Sequence, residues 1–167
     1  MGADDQDTKR ELADRRFLER AVELAHTGMK DGLGGPFGAV VVRSGEAIAE
    51  GYNQVTSAND PTAHAEIEAI RQACRVLDTF DLSGCVLYAS TEPCPMCLGA
   101  ILWARLDRVV FSTSRGEAAR AGFDDEHFYR EVSTAVEGRE LQCLQIPLPQ
   151  AQAVLERWAK DEAKQRY

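Results

Sequence analysis

Between positions 14 and 30 the apolar residues Phe17, Leu18, Ala21, Val22, Leu24, Ala25 and Met29 fall on one arc of a helical wheel, and Glu19, Arg20, Glu23 and Lys30 share the opposite arc. That pattern predicts a surface helix packed on a core. Gly32, Gly34, Gly35 and Pro36 end it, and the β-branched run over 37–43 predicts a buried strand. Ser44-Gly45 reads as a hairpin turn into a second strand over 47–53, followed by a polar loop over 54–59. Asp60 and Pro61 have the chemistry of an N-cap and a first helical residue, and Ala63, Ile67, Ile70, Cys74 and Leu77 then form one stripe. A third strand is expected over 85–90, a helix from 94 or 95 to 105, a fourth strand over 108–112 and a short acidic helix over 124–132. Residues 141–146 are expected as a fifth strand, and 149–164 as a closing helix with Ala151, Val154, Leu155 and Trp158 on its buried stripe. Strands alternating with helices after a hairpin predict an α/β fold: a three-layer α/β/α sandwich around a mixed five-stranded sheet. Residues 14–167 read as one domain, preceded by a disordered acidic tail over 1–13.

Composition narrows the function. The 167 residues are 44% apolar, enough for a core without disulfides. Lys and Arg number 19 against 27 Asp and Glu, a net charge of -8, which repels polyanions and argues against duplex nucleic acid as a partner. Small neutral solutes escape that argument, because a local pocket recognises them. The polar start has no secretory pattern and no apolar run suits a bilayer, so a cytoplasmic, membrane-free chain is expected. In that compartment five cysteines point to metal or redox chemistry and buried thiols rather than a disulfide framework.

The chemistry concentrates at two helix starts. His64 lies near one and Cys94-Pro95-Met96-Cys97 opens another, each after a strand able to bring it to the same edge of the sheet. One histidine and two thiolates make three zinc ligands and leave a fourth position for an activated water, the arrangement of a catalytic site. Glu66 stands two residues beyond His64 and can carry the protons such a site must move. Taken singly, each residue has a plainer reading: a helix histidine is mostly structural, a lone glutamate mostly solvated. Cys-Pro-x-Cys at a helix start is also what a thioredoxin-like dithiol exchanger would carry, but that leaves His64-Ala65-Glu66 unexplained.

His64-Ala65-Glu66 followed by Pro93-Cys94-x-x-Cys97 resembles the zinc-dependent cytidine-deaminase superfamily. The resemblance implies one zinc per chain on His64, Cys94 and Cys97, Glu66 as proton shuttle and hydrolysis of an exocyclic ring amine to a carbonyl and ammonia. Within the superfamily the chain is most similar to compact bacterial-type guanine deaminases, through residues 34–40, 59–66, 92–100, the run Ala121-Gly122-Phe123-Asp124-Asp125 and the terminal Tyr167. By that resemblance the substrate is guanine, attacked at C2 to give xanthine. Phe37 then stacks on the purine, Asn53 bonds a polar ring edge and the Ala65 N–H adds a donor. Asp125 lies near the reacting amine as a catalytic and substrate-binding carboxylate, with Asp124 capping the next helix. Trp103 matches a pocket aromatic, though its helical spacing equally suits core packing. Tyr167 covers the pocket, and the C-terminal segment is exchanged in a domain-swapped homodimer, so that Asp125 and Tyr167 complete a neighbour's site. Cys74, Cys85 and Cys143 are left as core thiols, and Arg115-Gly116-Glu117 carries no legible feature. Guanosine, cytosine-type bases and tRNA adenosine remain alternative substrates, since nucleoside and tRNA deaminases use the same zinc motif.

Overall fold

The computed structural model describes residues 3–166. A long helix, α1 (Ala3–Lys30), leads into the hairpin β1 (Gly38–Arg43) and β2 (Glu46–Tyr52). A short helix α2 (Val55–Ala58) and the helix α3 (Ala65–Leu77) follow, then β3 (Cys85–Thr91), α4 (Pro95–Trp103) and β4 (Arg108–Thr113). Three further α-helices, α5 (Arg115–Arg120), α6 (Asp125–Ser133) and α7 (Pro149–Lys160), with one 3-10 turn over Val136–Gly138 between the last two, complete the order among the described residues.

The sheet has the strand order β2-β1-β3-β4. β1 runs antiparallel to β2 and β3, whereas β3 and β4 are parallel. β1 carries no polar side chain from Gly38 to Val42, because both faces of that stretch are covered, and only Arg43 at its end is exposed. Val40 and Val42 join Tyr88 against Phe17, Ala21 and Leu24 of α1. Ala39 and Val41 face the other way, with Leu87 and Ala89, against α3 and Ile101 of α4. Gly51 lets α3 lie against β2, since a Cβ there would collide with the Ala65 carbonyl oxygen and the Ala69 N–H.

Several boundaries and one element differ from expectation. The mixed sheet has four strands among the described residues, not five. Residues 141–146 are not a strand, and Leu141, Leu144 and Ile146 stand 71–77% exposed. A strand needs a partner edge for its backbone groups, and this segment meets none among the described residues. α7 forms, but the stripe expected to be buried is open: Val154 is 66% and Leu155 70% exposed. Cys143 is exposed with that segment rather than in the core. α1 extends back to Ala3 through the stretch expected as a disordered tail. α3 begins at Ala65, later than Asp60-Pro61 suggested, because Asp60 instead closes a local turn: its Oδ1 accepts from the Thr62 N–H and hydroxyl, both at 2.7 Å. α5 was not expected. Its signal was the capping box Ser114-x-x-Glu117, in which the Ser114 Oγ accepts from the Glu117 N–H and the Glu117 carboxylate from the Ser114 N–H.

Candidate active site

His64 and Cys94 are the N-cap residues of α3 and α4, and neither uses its side chain to cap its helix. Both side chains turn instead toward one point. His64 Nδ1 lies 3.6 Å from the Sγ of Cys94 and 3.6 Å from that of Cys97. Zinc bonds of about 2.3 Å to sulfur and about 2.0–2.1 Å to nitrogen, opened to a tetrahedral angle, hold N and S about 3.5–3.6 Å apart. The three ligand atoms therefore fit zinc in separation as well as in chemistry, and all lie within 4.8 Å of one another. Cys97 is fully buried and Cys94 nearly so, which favours thiolates compensated by a cation. A hydrogen bond from Cys97, with further ones from His64 and the backbone, lowers the Cys94 thiol to about 4, while the bond to Cys94 and burial push Cys97 up. The hydrogen bond to Cys94 raises His64.

Glu66 projects from the first turn of α3 and is buried. Burial lifts its carboxyl to about 7. It borders a cavity of about 310 Å³ that also exposes His64 and Cys94 and is walled by Phe37, Asn53, Ser90, Thr91, Glu92, Phe123 and Asp125. Phe37 and Phe123 meet edge to face, with ring centroids 4.6 Å apart, and form an aromatic wall suited to a flat ring. Asn53 is held in one orientation: its Oδ1 accepts from the N–H groups of Gly35 at 3.0 Å and Val55 at 3.2 Å. Its Nδ2 is thereby left as a donor at the cavity. Gly34 makes this possible, since a Cβ there would collide with the carbonyl oxygen and Oδ1 of Asn53. Asp125, the first residue of α6, reaches the cavity of its own chain, and burial raises its carboxyl.

The structure thus brings together His64, Cys94, Cys97, Glu66, Phe37, Asn53 and Asp125. Ala65 is buried between His64 and Glu66 as the first residue of α3. Trp103 is not brought in: it ends α4, at the opposite end from Cys94, is 62% exposed, and lines a surface hollow with Phe80 and Gln165 instead. Tyr167 lies outside the described residues. Asp124 is at the N-cap of α6 without a side-chain capping bond. Phe123 also joins the cavity wall, a role the motif alone does not assign; its place two residues before Asp125 is the available signal.

Comparison with known proteins bears on the same residues. Residues 12–113 match the family model for the cytidine and deoxycytidylate deaminase zinc-binding region. The chain belongs to that zinc-binding deaminase family. It is 50% identical to the guanine deaminase of Bacillus subtilis over 151 residues, 90% of this chain and 97% of that one. A solved structure of Bacillus subtilis guanine deaminase superposes with a TM-score of 0.88 at 49% identity, covering 92% of this chain and 98% of that chain. The tRNA-specific adenosine deaminase of Aquifex aeolicus is 45% identical over 96 residues, which span 58% of this chain and 63% of that protein. Deaminases of different substrates thus share the zinc-binding core, whereas the guanine deaminase likeness continues through most of the chain.

Proposed function

We propose that this deaminase hydrolyses guanine to xanthine and ammonia. The observation that carries the reading is the likeness to Bacillus subtilis guanine deaminase across 90% of the chain, which takes in the Phe123–Asp125 wall beyond the shared zinc region. The cavity, about 310 Å³, is at the small end of ligand pockets and suits a free base. A net charge of -8 does not suit tRNA.

His64, Cys94 and Cys97 would hold the zinc, which when bound would activate a water for attack. Glu66, buried at the cavity, would accept a proton from the attacking water, pass it to the ring nitrogen beside C2, and deliver the second to the leaving amine. The oxygen of water becomes the new carbonyl at C2, the C2–amine bond breaks and ammonia leaves. A carboxyl lifted to about 7 exchanges protons readily near neutrality, which supports this shuttle. Phe37 and Phe123 hold the purine plane. The Asn53 Nδ2 donates to a ring acceptor, the Ala65 N–H adds a donor, and the Asp125 carboxylate accepts from the 2-amino group.

The C-terminal segment completes the unit as an exchanged element in a homodimer. The open outer edge of β4, the unpaired residues 141–146 and the uncovered apolar stripe of α7 support this reading, since each lacks, among the described residues, the partner that its pattern calls for. Asp125 acts in its own chain, as its place in that chain's cavity supports, and Tyr167 is the residue contributed across the dimer. Conversion of guanine to xanthine, followed by absorbance after chelation and after zinc is restored, tests the reaction. Loss and recovery of turnover with zinc is the expected outcome; activity indifferent to chelation with zinc fully removed overturns it.

A further inference from the structure

Arg115-Gly116-Glu117, silent in the sequence, opens a chain of contacts that ends at the metal-ligand loop. The Arg115 N–H donates to Glu92 Oε2 at 3.0 Å, and its guanidinium approaches Glu92 Oε1 at 3.4 Å. The same guanidinium lies 4.5 Å from the centre of the Tyr129 ring. The Tyr129 hydroxyl in turn donates to the Pro93 carbonyl at 2.8 Å, one residue before Cys94. Tyr129 and Asp125 are four residues apart on α6 and so share a face. One face of α6 therefore offers a carboxylate to the cavity and a phenol to the ligand loop.

We propose that Tyr129 and Arg115 are positioning residues: together they latch α6 to the loop over 92–94 and hold the Asp125 carboxylate at a fixed distance from the reacting centre. Neither touches the cavity itself. Their effect on the reaction passes through Asp125, which rests on the guanine deaminase reading, whereas the latch does not.

Tyr129→Phe removes the hydroxyl and keeps the ring under Arg115. Relative to wild type, amide exchange across α6 is expected to quicken about 2–10-fold, the range for a lost hydrogen bond, with zinc content unchanged. Turnover of guanine falls by a similar factor. The decisive arm is a cycle with Asp125→Asn: in that background Tyr129→Phe has no further effect on kcat, because the residue it positions is already disabled. Arg115→Gln, which loses both the ion pair and the cation over the ring, should reproduce the exchange change and the same non-additivity. Unchanged α6 exchange in both variants overturns the latch. Additive losses of kcat in the cycle overturn the positioning role. Absence of guanine turnover in wild type, with α6 exchange quickened as stated, leaves the latch standing and removes the substrate reading instead.

Discussion

Glu66 and the three ligands make different demands on the site, and single substitutions separate them. Glu66→Gln keeps the size of a buried side chain and leaves His64, Cys94 and Cys97 in place, so zinc content should stay at one per chain. Turnover should fall about 10²–10⁴-fold as the proton carrier is lost; steady-state kinetics beside metal analysis check this, and near-normal turnover contradicts the assignment. Cys94→Ala removes a ligand and should instead lose zinc together with activity. Full zinc occupancy there would take Cys94 out of the ligand set. These four residues were legible in the sequence because each pair sits within one helix start, where short spacing fixes geometry. Phe123 and Trp103 were not, because whether an aromatic reaches the cavity depends on how α4 and α6 dock, and spacing along one helix carries no record of that.

Between elements, the register of α1 against the sheet rests on a polar clamp as well as on Phe17, Ala21 and Leu24. Asp14 accepts from Arg108 on β4 at 2.6 and 2.8 Å and from the Tyr88 hydroxyl on β3 at 2.6 Å. The bond from Arg108 holds the Asp14 carboxyl below the usual carboxylate range, and burial, reinforced by Asp14, lifts Tyr88 to about 12. A depressed carboxylate stabilises the fold above its unfolded pKa, and that contribution disappears as pH falls through the folded value. Asp14→Asn should therefore cost about 1–3 kcal/mol near neutrality, and its deficit against wild type should shrink as pH drops below about 4. Urea denaturation at several pH values measures it; a deficit independent of pH would remove the charge from the account. The strands and the middle of α1 were readable from period and composition. The start of α3 was not, because Asp60 offers the same oxygen to a local turn as to a helix cap. The expected fifth strand does not form for a related reason: residues 141–146 have strand chemistry, but pairing is decided by an edge elsewhere.

At the scale of the whole molecule, residues 141–146 and α7 leave apolar surface open, and the exchanged dimer proposed above would cover it. Light scattering should give twice the mass of one chain, and replacing Val154 and Leu155 by Asp should shift that mass toward the monomer while zinc is retained. A wild-type monomer at high concentration would contradict the exchanged dimer. The net charge of -8 belongs to this scale as well, since it weighs against tRNA as a substrate although the zinc-binding core is shared with tRNA deaminases. What the shared core does not decide is the ring that enters the cavity. The most direct test is ammonia release by the zinc-loaded chain from guanine and guanosine side by side, with cytosine, adenine and a tRNA anticodon stem as further substrates. The account predicts turnover of guanine well above that of every other compound; turnover of guanosine alone, or of the tRNA stem, would contradict it.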